Sequence, residues 1–194
     1  MKRVLLGLLV MASVSCGSMT REGTASSYLV VAAIDAASGA DPEDFAGDLE
    51  SDVVTVVDGV STIFGDVARV TFVLALKDPG PSASPLTPTP ANAITVDRYR
   101  VRFIRSDGRN RAGVDVPYGF DGAFTATVFD QTQASFTLVR AQAKAEAPLA
   151  ALATSLIVVS TIAEITFYGH DQTGREVITR GRVGVHFANW GDPE

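Results

Sequence analysis

The sequence predicts an all-β protein, folded as an antiparallel β-sandwich of about eight strands. Three observations lead to this prediction. Apolar and polar side chains alternate with a period of two in several segments, and no segment keeps a sustained helical period. Glycine, proline and aspartate recur at short spacing between these segments, as they do at turns. With 46% hydrophobic residues, such a chain can bury a core.

Residues 1–15 have the pattern of a signal peptide. Lys2 and Arg3 precede an apolar run from Val4 to Val14, which is too short to cross a membrane as a helix. The run ends at Ser13-Val-Ser-Cys16. Here the chain resembles bacterial lipoproteins, in which a cysteine at this place is acylated and becomes the first residue of the mature protein.

The resemblance implies that Cys16 is lipidated, with palmitate among its acyl chains, and that it anchors the protein to a membrane. Gly17 follows the cysteine, where an aspartate would be typical of inner-membrane retention, so the outer membrane is expected. The alternative is ordinary signal-peptide cleavage that leaves a free thiol. Residues 16–26 are small and polar, and we expect them to form a flexible tether.

Residues 27–194 are expected to form the sandwich domain, which begins with two apolar strands. Tyr28–Ile34 is apolar on both alternating faces, which predicts a strand covered on both sides. In Val67–Lys77, Phe72 and its alternate neighbours form an inward face, whereas Thr71 and its alternate neighbours face outward.

The second half of the chain continues the pattern. Arg98–Phe103 places Tyr99, Val101 and Phe103 on one face and three arginines on the other. Four further strands are predicted at Phe124–Phe129, Ala134–Lys144, Ile162–Gly169 and Val177–Phe187. The last two, with a turn at Asp171–Gly174, resemble the final strands of bacterial immunoglobulin-like and fibronectin III-like modules. That resemblance implies the fold and no particular activity.

Two segments interrupt the strands. Residues 78–92 contain five prolines, so we expect an extended, exposed loop that cannot pair in a sheet. Residues 147–163 carry no charge. We expect a turn of helix at Pro148–Ala153 that leads into a core strand through Leu156–Val159, and a docking patch if this segment is instead exposed.

Composition excludes several functions. With 16 basic and 22 acidic residues the net charge is −6, which argues against nucleic-acid binding. One cysteine excludes an internal disulfide, and the presence of only two histidines argues against a histidine-rich metal site. Asp48, Glu50 and Asp52 have the spacing of a calcium loop, but Val53 and Gly59 occupy the positions that require glycine and glutamate. We expect no metal, no cofactor and no catalytic residues, although an irregular calcium site stays open.

The candidate binding residues are the arginines Arg98, Arg100, Arg102 and Arg105. The first three share one strand face, and guanidinium groups bind carboxylates and phosphates in bidentate fashion. These three arginines, spaced two residues apart along the strand, could therefore bind an anionic partner. The alternative, which we expect, is that the arginines cover their own sheet and pair with the chain's own acids.

These observations favour a non-catalytic cell-envelope lipoprotein that binds or scaffolds a protein or glycan of the envelope. Two other classes stay open. One is a subunit of a surface assembly, joined by strand addition through residues 28–34. The other is a hydrolase that uses loop carboxylates.

Overall fold

The computed structural model describes residues 26–191, which form ten strands, one short α-helix and two 3-10 helices. The helix is α1 (Ala141–Ala145), and the 3-10 helices are Pro90–Asn92 and Leu149–Thr154. The strands are β1 (Ser27–Ala37), β2 (Asp48–Asp52), β3 (Thr55–Val57), β4 (Val60–Thr62), β5 (Asp66–Leu76), β6 (Ile94–Ile104), β7 (Phe120–Val128), β8 (Gln131–Val139), β9 (Val159–Asp171) and β10 (Glu176–Ala188).

The strands form two main sheets and a small hairpin. One sheet has the order β1-β5-β8, the other has the order β2-β10-β9-β6-β7, and β3 pairs with β4. Every pairing is antiparallel except that of β2, which runs parallel to β10. The all-β class is therefore confirmed. The predicted antiparallel pairing holds for every strand except β2, which reaches the edge of the second sheet through a connection that follows β1.

Aromatic side chains from the two main sheets meet in one core. Phe72 on β5 contacts Phe167 on β9 edge to face, with ring centroids 5.0 Å apart. Phe136 on β8 contacts Tyr99 on β6 at 4.9 Å. These contacts show that the sheets pack against each other across a continuous apolar interior.

The alternation predicted for β5 and β6 is confirmed on their inner faces. Phe72 and Val101 are fully buried, and Tyr99 and Phe103 are nearly so. Thr71 lies on the opposite face from Phe72, as predicted, but it is only 8% exposed there, and its hydroxyl accepts a hydrogen bond from the Gln133 side chain at 3.2 Å. β5 is the central strand of its sheet, so flanking side chains cover its outer face.

β1 is not covered on both sides as predicted. Leu29 and Ile34 point into the core, but Tyr28 and Val30 are 48% and 37% exposed. β1 lies at the edge of the three-stranded sheet, and its pairing with β5 shifts register between Val31 and Ala33. The outer face of this apolar strand is therefore open to solvent.

The predicted strand Ala134–Lys144 is wrong at its C-terminal end. β8 ends at Val139, and the chain turns into α1, which carries Lys144 into the interior. There the lysine meets Asp66 at the start of β5. A buried partner elsewhere in the chain, rather than local alternation, sets the path of this segment.

The two predicted interruptions have different outcomes. Residues 78–89 form an irregular and mainly exposed loop, as predicted. After the 3-10 helix at Leu149–Thr154, however, Leu156 and Ile157 are exposed, so the prediction of a core strand here is wrong. β9 begins only at Val159.

The exposed aliphatic loop lies at the end of the domain opposite Ser26. Val159 pairs with Phe187 near the end of β10, whereas β1 begins beside the start of β6, where the Ser27 hydroxyl donates to the Asn92 carbonyl. The end of the domain remote from Ser26 therefore contains this loop, together with Asp66 at the start of β5 and α1.

Candidate partner-binding face

The outer face of the five-stranded sheet gathers most of the arginines that the structure describes on strands. The register aligns Arg98, Tyr168 and Ile178 in one row across β6, β9 and β10. The next rows are Arg100, Thr166 and Arg180, and then Arg102, Glu164 and Arg182. We call these nine side chains the arginine face.

Three of the five arginines pair with carboxylates of the same sheet. Arg100 binds Asp121 on β7 through two hydrogen bonds of 2.8 Å. Arg182 binds Glu164 at 2.7 Å. Arg98 lies 3.8 Å from Glu176, and its guanidinium lies over the Tyr168 ring, 4.3 Å from the centroid. The alternative that the arginines pair with the chain's own acids therefore holds for Arg98 and Arg100, and Arg182 pairs in the same way.

These pairs also shift the acidity of the carboxylates. The hydrogen bond from Arg100 lowers the pKa of Asp121 below its ordinary value. The hydrogen bond from Arg182 does the same to the pKa of Glu164, with smaller contributions from the charges of Arg102 and Arg180. Both carboxylates therefore stay ionised at neutral pH, and the face keeps a fixed pattern of charge.

Arg102 and Arg180 are the remaining cations of the face. Both side chains are exposed, and neither makes a hydrogen bond or an ion pair within residues 26–191. Asp121, Glu164 and Glu176 pair with the other three arginines of the face, which leaves these two arginines without an ion pair among the described residues. They lie on a chain whose net charge is −6.

Arg105 does not belong to this face. It follows the end of β6 and binds Asp107 through two hydrogen bonds, of 3.2 and 2.7 Å. Arg109 shares the same carboxylate at 2.7 Å. Hydrogen bonds from both arginines lower the pKa of Asp107 far below its ordinary range. Asp107 thus neutralises Arg105 within its own loop.

Apolar surface accompanies the charge. Ile178 is 50% exposed beside Tyr168, and Ile162 is 42% exposed one row beyond Glu164. A surface that combines arginine, tyrosine and exposed aliphatic side chains has the composition found at protein interfaces.

Arg180, Arg182 and Ile178 were missed by the sequence analysis. They recur at every second residue of β10, so the same alternation that identified Arg98, Arg100 and Arg102 marks them as well. The sequence does not reveal the strand pairing that places β6 and β10 on either side of β9.

The edge of the five-stranded sheet formed by β2 is acidic. Asp48 and Glu50 project from β2 beside His186 and, with Asp41 and Asp44, line a cleft of about 550 Å³. Asp52, the third member of the calcium-like spacing, is instead buried, where it accepts hydrogen bonds from Thr55 and from the Trp190 backbone. In the part of the chain that the structure describes, no group of three or more metal-binding side chains is arranged to hold an ion.

Comparisons with known proteins assign this chain to no family. No protein-family model matches the chain, and no curated protein matches it. Cys16, the predicted lipidation site, lies outside the described residues. Between residues 26 and 191, none of the helices has the length and apolar character that a membrane crossing requires.

Proposed function

We propose that this protein is a non-catalytic cell-envelope lipoprotein whose arginine face binds an acidic protein or glycan of the envelope. The observation that carries the proposal is that Arg102 and Arg180 are exposed on one open sheet face of an acidic chain and make no ion pair within residues 26–191. Oriented guanidinium groups beside a half-buried tyrosine and exposed aliphatic side chains can recognise carboxylates or phosphates and bury apolar surface at the same time.

We assign the two main sheets to an immunoglobulin-like sandwich from their strand order, an assignment that concerns the fold alone. The orders β1-β5-β8 and β10-β9-β6-β7 correspond to strands A-B-E and G-F-C-C′ of an immunoglobulin-like sandwich. In this assignment β2 is an additional strand beside the last one. Many cell-surface domains share this architecture, and the arginine face is then the outer face of the G-F-C-C′ sheet.

The position of the N-terminus is compatible with a lipid anchor. Ser26 lies at one end of the domain, next to Asn92, and the arginine face runs along the side of the molecule. A tether formed by residues 16–26 would therefore leave this face open to a neighbour in the envelope.

A second candidate function is strand addition through residues 28–34. β1 is an edge strand of its sheet, and Tyr28 and Val30 expose apolar surface beside that edge. An edge of this kind can accept an additional strand from another protein.

Site-specific photo-crosslinking in the native host tests the two candidates together. A photoreactive residue is placed in the full chain at Thr166, between Arg100 and Arg180, at Val30 on β1, or at Ser135 on the exposed face of β8. We expect a discrete adduct from Thr166, because this residue lies at the centre of the arginine face.

The three positions distinguish the two candidate functions. Ser135 serves as the control, since it is exposed on the other sheet. An adduct from Val30 alone would favour strand addition. Equal labelling at Thr166 and Ser135 would contradict the arginine face as a binding surface.

The anchor has its own test. The protein purified from host membranes should release an N-terminal tryptic peptide that begins at an acylated Cys16 and ends at Arg21. A Cys16→Ser variant should lose both the acyl mass and its membrane association, because the cysteine sulfur carries the lipid. Recovery of unmodified Cys16 from membrane-associated protein would contradict lipidation.

A further inference from the structure

A lysine and an aspartate are enclosed together at the end of the domain remote from Ser26. Lys144 lies on α1 and Asp66 begins β5, and their side chains are 1% and 0% exposed. The Lys144 Nζ lies 2.7 Å from the Asp66 Oδ1. The two residues are 78 positions apart, so the tertiary fold creates this contact.

Neutral hydrogen-bond donors surround the carboxyl group. The Gly39 backbone N–H donates to Oδ1 at 3.0 Å, and the Ser51 hydroxyl donates to Oδ2 at 2.6 Å. Burial raises the pKa of the Asp66 carboxyl, while Lys144 and these hydrogen bonds oppose the rise. Burial thus disfavours the charged form of this carboxyl group.

The surroundings of the Lys144 Nζ suit an amide better than an ammonium ion. An ammonium has three N–H donors, but only two acceptors contact Nζ among residues 26–191, the Asp66 Oδ1 and the Asp52 carbonyl at 2.8 Å. A secondary amide has a single N–H, for which the Asp52 carbonyl suffices. Its carbonyl oxygen keeps the hydrogen bond from Gly39.

Formation of an amide would also remove two charges from a site without solvent. Burying an ammonium and a carboxylate costs free energy that their mutual attraction only partly offsets. The fold holds the reacting groups in contact, and such fixed proximity strongly favours bond formation over the same reaction in solution.

We propose that Lys144 and Asp66 form an intramolecular isopeptide bond. The Nζ–Cγ bond forms and the Cγ–Oδ2 bond breaks. One ammonium proton stays on the amide nitrogen, and the other two leave with Oδ2 as water, so no oxidant, reductant or other reactant is consumed. The Ser51 hydroxyl is placed to donate a proton to Oδ2 as it departs and takes one of the two ammonium protons in return, while Gly39 polarises the oxygen that remains.

The bond would tie the first residue of β5 to the helix that follows β8. It closes a long loop in the chain, and such a closure restricts the unfolded state in the way a disulfide does. The single cysteine of this chain permits no internal disulfide, so an isopeptide bond would supply a covalent link by other means.

Tryptic peptide mapping of the full chain, purified from its host and denatured before digestion, tests the proposal. Trypsin cleaves after Arg21, Arg69, Arg140 and Arg175, and it cannot cleave after a lysine whose amine is acylated. We expect peptide 22–69 joined to peptide 141–175, with a mass one water molecule below their sum. Fragmentation should locate the junction at Asp66 and Lys144.

A Lys144→Arg variant is the control, since it keeps the positive charge but provides no primary amine. It should give separate peptides 22–69, 141–144 and 145–175. The wild-type protein decides the question even if this variant does not fold. Unlinked peptides 141–144 and 145–175 as the main wild-type products, after prolonged incubation of the folded protein, would overturn the proposal.

Discussion

Lys144→Met is expected to lower the free energy of unfolding by about 3–5 kcal/mol, because it leaves the fully buried Asp66 carboxylate without its counter-ion. The loss of the proposed isopeptide bond would add to this effect. Urea unfolding of the full chain, followed by circular dichroism, measures the change.

Lys77→Met is the matched control, since Lys77 is exposed after the end of β5 and its removal should change stability by less than about 0.5 kcal/mol. A double variant, Lys144→Met with Asp66→Leu, should recover much of the loss because no buried charge then lacks a partner. If Lys144→Met costs no more than Lys77→Met, the buried pair does not stabilise the fold.

Phe72→Ala should be the most costly substitution in the apolar core, with a loss of about 3–5 kcal/mol. The Phe72 ring is fully buried and joins the two sheets through its contact with Phe167, so its removal opens a cavity between them. The same urea titration measures this loss in the free energy of unfolding.

Phe129→Ala is the corresponding control. Phe129 lies between β7 and β8 and is 52% exposed, so the same change of side chain should cost less than about 1.5 kcal/mol. Equal losses for the two variants would mean that the sheets do not meet at Phe72.

The sequence was informative where local alternation decides the outcome. The inner faces of β5 and β6 follow directly from a period of two, because successive side chains of a strand point to opposite sides. The exposed loop at residues 78–89 follows from proline, which cannot donate to a sheet.

The errors arose where distant segments decide the outcome. Lys144 reads as the end of an alternating strand, but its burial depends on Asp66 far away in the chain. The exposure of Tyr28 depends on the edge position of β1, and that of Leu156 on its place in an uncovered loop between Thr154 and β9. None of these positions can be read from neighbouring residues.

The candidate site was predicted only in part, because some of its residues are brought together by pairing between distant strands. Arg98, Arg100 and Arg102 share a face by alternation alone, as predicted. Their grouping with Arg180 requires the pairing of β6 and β10 with β9, and the separation of Arg105 requires its contact with Asp107.

The most direct test of the arginine face is the yield of the Thr166 crosslink in an Arg102→Gln, Arg180→Gln double variant. Charge-assisted hydrogen bonds are worth about 1.5–3 kcal/mol each, so the loss of two should reduce the adduct more than about tenfold. Raised salt should weaken the wild-type adduct as well, since it screens exposed charges. Arg109→Gln, which removes an exposed arginine outside the face, should leave the yield unchanged. An undiminished, salt-insensitive adduct in the double variant would contradict binding through the arginine face.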